Sequence, residues 1–264
     1  ARYLKAFKCK IDSNLPIGAG ISSSSSLVCG IISGLNYLNN LKLSSDEIVD
    51  IVSDVEHNFI GLNGGIMDQF TIVNGKKNKL LLLNCQNRDF KYIDSNLGPY
   101  KIILFDTKIE HNLSNSSYNK RVEECNEALK IIRKKYKKYN FLVDVDEKML
   151  NEFKDTLNEK VYNRALFVIQ ENKRTIESAN KISQSKLKEF GKLMYKSHHG
   201  LKTLYEVSCE ELDFLVEFTC SYNEVIGSRM MGGGFGGCTI NLIEKSFVDN
   251  FIKTISIAYL KKFN

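Results

Sequence analysis

The segment PIGAGISSSSSL (16–27) places two glycines, Gly18 and Gly20, ahead of five consecutive serines. Glycine lets backbone N–H groups approach an anion, and a helix opening directly behind adds unsatisfied donors and the positive end of its dipole. Such a loop suits a phosphate. It is not a Walker A loop, because no Gly-Lys-Ser/Thr follows, and a serine-rich turn that merely caps a helix has the same composition. Two carboxylates lie downstream, Glu56 at the end of an amphipathic stretch and Asp68 just after the turn GGI. Phosphoryl transfer needs a metal to neutralise phosphate oxygens and a carboxylate to orient or deprotonate the attacking hydroxyl. One phosphate loop, one metal-binding carboxylate and one basic carboxylate together meet that demand. Taken separately, Glu56 reads as a solvated helix-end charge and Asp68 as a helix cap.

These residues need elements to position them. Alternation over residues 7–12 predicts a strand, interrupted at 16–20. Leu27, Ile31, Leu35 and Leu38 recur at helical spacing and predict a helix over 23–39. Ser44 or Ser45 caps the next helix, with Ile48, Ile51, Val52 and Val55 on its buried face. The glycine-rich break GLNGG (61–65) precedes a short helix at 67–73, and strands follow at 79–84, 90–93 and 101–106. The second half is mainly helical, near 116–136, 160–181, 186–205 and 209–222, with apolar spacings such as Leu187, Phe190, Met194 and Leu201. A strand at 225–230, the loop MGGGFGG, a strand at 238–243 and a helix at 246–261 complete the pattern. The expected class is α+β, with two closely packed lobes and no flexible tether.

Composition removes several alternatives. The 264 residues are 43% hydrophobic, ordinary for a globular protein. No stretch approaches the ~18 uninterrupted apolar residues of a membrane helix, and the opening ARYLKAFK lacks a signal-peptide core. No membrane association is expected. Seven cysteines, at 9, 29, 85, 125, 209, 220 and 238, include no CxxC pair, and the four histidines do not cluster with them, which argues against zinc. Reduced thiols in the cytoplasm fit that usage. The formal charge of +6 is dispersed, and its densest run, 133–138, looks like the solvated end of a helix. No nucleic-acid partner is expected from it, though the excess favours holding a polyanionic small molecule.

Against this background the motifs become specific. PIGAGISSSSSL closely resembles the second motif of the GHMP kinases, the superfamily of galactokinase, homoserine kinase, mevalonate kinase and phosphomevalonate kinase. GGIMDQF (64–70) looks like the catalytic-aspartate segment in its galactokinase form, and TKIEHNLSNSSYNKRVEEC (107–125) resembles a stretch in which a tyrosine contacts the sugar. RALFVIQENKRTIESA (164–179) and FGKLMYKSHHGLKTLYEVSCEELDFLVE (190–217) match family helices. SRMMGGGFGGCTINLI (228–243) matches the third GHMP motif. Six blocks follow the family's order across nearly the whole chain.

The resemblance implies a two-lobed GHMP-kinase fold with the active-site cleft between its lobes, residues 1–108 forming the N-terminal lobe and 109–264 the C-terminal one. It implies ATP-dependent transfer of a phosphoryl group to the 1-hydroxyl of galactose, by a cytoplasmic monomer whose partners are ATP, Mg2+ and the sugar. Gly18, Ala19, Gly20, Ile21, Ser22, Ser23 and Ser24 fall on the ATP phosphate loop, Ser24 and Glu56 on the magnesium ligands, and Asp68 on the catalytic base beside the substrate. Tyr118 falls on the galactose-binding tyrosine. Gly65 should bring backbone close to the sugar, and Gly232, Gly233 and Gly234 should pack at the nucleotide end. His111, His198, His199 and Cys238 receive no chemical role.

The chain also departs from the family pattern. The first family motif, a run like GRVNLIGEHTDYN that grips the sugar, is absent. The chain opens with RYLKAFKCKID where the family has a longer helix and connector, and it stops at KKFN, short of the usual final strand. An incomplete chain is therefore expected, with the activity belonging to its intact form. The serine loop carries Ser25 where the family commonly has alanine, an added hydroxyl expected to be tolerated. Alternatives are a kinase for N-acetylgalactosamine or arabinose, or a non-catalytic galactose sensor, against which the retention of both Glu56 and Asp68 argues.

Overall fold

A computed structural model describes residue 4 and residues 6–61, 64–109 and 117–263. His111 lies outside them. The chain divides into two compact units, Ala1–Ser95 and Asn96–Asn264.

In the first unit, α1 (Ser23–Leu38), α2 (Ser45–Val55) and α3 (Met67–Asn74) pack on one another. A capping box starts α2: Ser44 accepts from the Glu47 N–H while the Glu47 carboxylate accepts from the Ser44 N–H. The link between α1 and α2 is fixed by Asn36, whose side chain bonds both the N–H and the carbonyl of Leu43 at 2.9 and 3.2 Å. Cys29 of α1 with Ile48 and Val52 of α2 form the small core, flanked by Ile32, Leu43 and Val73. The hairpin of β1 (Lys79–Leu83) and β2 (Phe90–Asp94) is antiparallel, pairing Leu81 with Tyr92. It is tied to α3 by an edge-on Phe70–Phe90 contact at 5.2 Å and by the Tyr92 hydroxyl on the Asn74 carbonyl at 2.6 Å.

Two expectations need correction. Residues 7–12 form no strand. A strand exists through its ladder of hydrogen bonds, and among the described residues no segment pairs with this one; Phe7 and Ile11 are exposed. The packed face of α1 is also rotated from the leucine stripe. Leu27 and Leu38 are exposed, whereas Ser25 and Cys29 are buried, because α2 and α3 cover the latter side.

The second unit is built on an antiparallel sheet in the order β3 (Tyr100–Asp106), β5 (Cys238–Glu244), β4 (Val225–Met230). Its helices are α4 (Ser117–Lys135), α5 (Glu147–Asn151), α6 (Glu159–Ser183), α7 (Leu187–Thr203), α8 (Glu210–Thr219) and α9 (Val248–Phe263). Phe251 and Ile255 of α9 pack on Val225 and Ile243 of the sheet, while Phe167 and Leu201 meet Leu212 and Met230. The helix α7 lies directly against β4. A Cβ at Gly191 would stand 1.8 Å from the Ile226 carbonyl oxygen, so only glycine permits that approach. No described helix is long and apolar enough to cross a membrane.

Candidate active site

The serine loop enters α1 through an alternating backbone. Gly18, Gly20 and Ser22 have φ of 78°, 69° and 59°, whereas Ala19 and Ile21 between them lie outside the positive-φ region. Alternation of this kind turns successive N–H groups into a concave, anion-binding surface. Ser22 is the N-cap residue, yet its hydroxyl caps nothing, and the first turn contains no acidic side chain. The donors at this helix end are thus left for an external acceptor. Ala19 is buried and anchors the loop, while Gly18 and Ser24 are exposed and Gly20, Ile21, Ser22 and Ser23 are half-buried.

At the C-terminal end of α2 the helix widens into a π turn, Glu56–Ile60, closed by Gly61 in the left-handed region at φ 76°. Such single π turns often mark functional positions. Glu56 opens the turn and is only 4% exposed. The Ser25 hydroxyl donates to its Oε1 at 2.5 Å, and the Gln69 amide nitrogen donates to its Oε2 at 2.6 Å. Gln69 Nε2 also donates to Ser53 Oγ at 3.3 Å, and its own Oε1 is buried with no partner among the described residues. His57 Nε2 meets the Gly64 carbonyl at 3.0 Å, linking the π turn to the approach of α3. The serine loop, the end of α2 and the start of α3 therefore converge on one carboxylate.

The electrostatics there are one-sided. Ion pairs in this unit lie elsewhere, as Lys79–Asp94 and as Arg88 with Asp50 and Asp46, so Glu56 has only neutral donors among the described residues. Burial, and then the charge of Glu56, push the nearby Cys29 thiol above its ordinary pKa. A buried carboxylate without a cation is costly, and a divalent ion would offset that cost. No cluster of three or more His, Cys, Asp or Glu side chains occurs among the described residues. The donor set fits an ion that takes one or two protein oxygens and completes its shell with phosphate and water, as Mg2+ does.

Asp68 is half-buried in the first turn of α3, immediately before Gln69. Gly65 is exposed, and a Cβ there would meet nothing within 4 Å. No described hydrogen bond joins Ser24 to Glu56; the contact is made by Ser25. Sequence reasoning missed Ser25 and Gln69 as partners of Glu56. The signal was present, since Ser25 stands where the family commonly has alanine and Gln69 lies inside the IMDQ segment.

In the second unit Tyr118 is half-buried at the start of α4. Three residues on, Arg121 donates to the Tyr205 carbonyl at 2.7 Å and to Glu124 at 2.8 Å. Arg164, 1% exposed, meets Glu124 at 3.1 Å and Glu206 at 2.5 Å and also bonds the Leu204 carbonyl. This network fixes the first half of α4. The glycine loop between β4 and β5 is a tight connection: the Phe235 N–H donates to the Val207 carbonyl at 2.7 Å, and the Thr107 N–H to the Gly237 carbonyl at 2.9 Å. His198 is buried against Met230 and Asp213, and burial pushes the Cys238 thiol up to about 11, consistent with packing roles.

The profile of the GHMP kinases N terminal domain matches residues 1–76, and that of the GHMP kinases C terminal domain matches residues 177–259. The chain belongs to the GHMP kinase family. Its relatives within that family include the galactokinase of Clostridium tetani, 42% identical over 95% of this chain and 64% of the relative. The galactokinase of Thermosipho africanus is 36% identical over 98% of this chain and 72% of its own length. Among solved structures, Lactococcus lactis galactokinase complexed with galactose superposes with a TM-score of 0.89 at 33% identity, covering 94% of this chain and 64% of that one. The chain thus spans about two thirds of the length of the relatives it matches.

Proposed function

We propose that this chain serves galactokinase chemistry, moving the γ-phosphoryl group of ATP to the 1-hydroxyl of galactose to give galactose 1-phosphate and ADP. The observation that carries this reading is 42% identity to a protein named galactokinase, sustained over 95% of the chain. Backbone N–H groups from Gly18, Ala19, Gly20, Ile21, Ser22, Ser23 and Ser24 would hold the triphosphate against the N-terminus of α1. Ser24 and Glu56 would hold Mg2+, which when bound supplies charge neutralisation at the β- and γ-phosphate oxygens. Asp68 accepts the proton of the 1-hydroxyl as the sugar oxygen bonds to the γ-phosphorus. The bond from that phosphorus to the bridging oxygen breaks, and the electron pair leaves with ADP. Gly65 and Tyr118 would contact the sugar. Catalysis of this kind is mostly positioning and charge stabilisation. The seven cysteines, all free, support a reducing, cytoplasmic setting.

The test is ADP release in a coupled assay, with and without galactose. It is run on the chain alone and on the chain joined to the parts of the Clostridium tetani relative that it does not match. Galactose-dependent release in either supports the proposal. ADP release that ignores galactose but responds to N-acetylgalactosamine or arabinose, or no release in both forms, overturns it.

A further inference from the structure

We propose that Ser25 and Gln69 are positioning residues that clamp the Glu56 carboxylate in one orientation for the metal–nucleotide complex. The proposal rests on the reading of Glu56 as a metal ligand and adds to it the side chains that aim it.

Each Glu56 oxygen takes one neutral donor, Ser25 Oγ at 2.5 Å and Gln69 Nε2 at 2.6 Å, so the carboxylate plane is fixed from both ends. A carboxylate offers about four acceptor sites, so one lone pair on each oxygen stays open for a further ligand. All three side chains are buried, at 4%, 1% and 4% exposure for Ser25, Gln69 and Glu56, so water does not compete for these bonds.

Gln69 is oriented toward the same carboxylate. Its amide faces Glu56 with the nitrogen, and the opposite assignment would set a carbonyl oxygen against a carboxylate. That choice leaves Gln69 Oε1 without a partner among the described residues. An unsatisfied buried acceptor is destabilising, so the amide serves the carboxylate at the expense of its own satisfaction. Ser25 points the same way. Its hydroxyl turns inward to Glu56, while Ser24 beside it stays exposed and Ser22, Ser23 and Ser26 are half-buried. The two donors come from α1 and α3 and the carboxylate from the end of α2, so the clamp holds the phosphate loop, the metal carboxylate and the Asp68 segment in mutual register.

The experiment measures Mn2+ binding to the 264-residue chain by electron paramagnetic resonance, with a non-hydrolysable ATP analogue present. Thermal unfolding of each variant is recorded in parallel. Ser25→Ala and Gln69→Leu should each weaken Mn2+ binding by about five- to tenfold, the scale of one lost hydrogen bond. Affinity for the analogue without metal should stay unchanged. In a Glu56→Gln background, Ser25→Ala should have no further effect. If Glu56→Gln weakens Mn2+ binding but neither Ser25→Ala nor Gln69→Leu does, the clamp is overturned while the metal reading stands. If Glu56→Gln leaves Mn2+ affinity unchanged, or the wild-type chain binds no Mn2+ with the analogue, the metal reading falls and the clamp with it. Should Gln69→Leu fail to fold, Ser25→Ala decides alone, since it removes only a hydroxyl.

Discussion

Lowering the pH from 7 to 5 should destabilise the second unit through His198. The imidazole is 4% exposed; its Nδ1 accepts the Met230 N–H at 3.3 Å, and its Nε2 stands 3.2 Å from Asp213 Oδ1. Burial pushes its pKa from 6.5 down to about 4; Asp213 pulls it back up, while Lys202 and Arg229 reinforce the lowering. Protonation would also place a hydrogen on Nδ1, where the Met230 N–H already points. The unfolded chain therefore binds a proton between pH 6.5 and 4 that the folded chain refuses. The associated stability is fully present above 6.5 and is lost as pH falls toward 4. At about 1.4 kcal/mol per unit, the loss by pH 5 is about 2 kcal/mol, or roughly 4–8 °C in melting temperature for a unit of this size. Melting curves of wild type and His198→Asn, whose amide oxygen can replace Nδ1 as acceptor, should converge as pH falls. Parallel curves between pH 7 and 5, or an NMR titration of folded His198 near 6.5, would refute the reasoning.

Three further outcomes follow. In the galactose-dependent assay, Asp68→Asn should lower turnover by about 10²–10⁴-fold, the usual worth of a general base, with nucleotide binding retained; near wild-type turnover removes Asp68 from that role. Tyr118→Phe should weaken galactose binding by about 1 kcal/mol and leave nucleotide affinity unchanged, and a selective loss of ATP affinity instead would place the tyrosine in the wrong subsite. Gly191→Ala should destabilise the chain by about 1–3 kcal/mol through overpacking. Its Cβ would meet the Ile226 backbone and not a movable side chain, so an unchanged urea midpoint would contradict the α7–β4 contact.

Periodicity made most helices legible, because a buried face repeats along a segment such as Leu187, Met194 and Leu201. It did not reveal pairing partners. The β3–β5 ladder joins Asp106 to Cys238, a separation no local pattern encodes, and residues 7–12 alternate without finding a ladder. The short elements Leu142–Asp144 and Glu147–Asn151 offer too few turns for a period to emerge. Spacing named Glu56 but suggested a solvated helix end; the π turn that begins there leaves no mark on composition, and the carboxylate is buried where Ser25 of α1 and Gln69 of α3 bond it. The same packing turns Ser25 inward, which a stripe drawn through Leu27 and Leu38 does not show.

Among the described residues, the buried charges around Arg164 and the buried carboxylate of Glu56 differ in how well they are satisfied, and that difference separates their roles. Around Arg164 each buried charge is answered: Arg164 and Arg121 meet Glu124, and they also bond Glu206 and the carbonyls of Leu204 and Tyr205. Such a network is complete in itself and needs no visitor, so it reads as scaffold for α4 and α6. Around Glu56 the account does not close. Among the described residues the carboxylate has donors but no cation, and Gln69 Oε1 has no donor. Folding alone gives no reason to keep such an arrangement, because an apolar trio of similar shape would pack there without the penalty. A protein retains a local deficit of this kind where something outside the fold completes it. In this chain the deficit adjoins a loop of positive-φ residues leading into an uncapped helix, a place already prepared for negative charge. A divalent cation carried in on a phosphate would answer both sides at once, the carboxylate by its charge and the helix end by its anion.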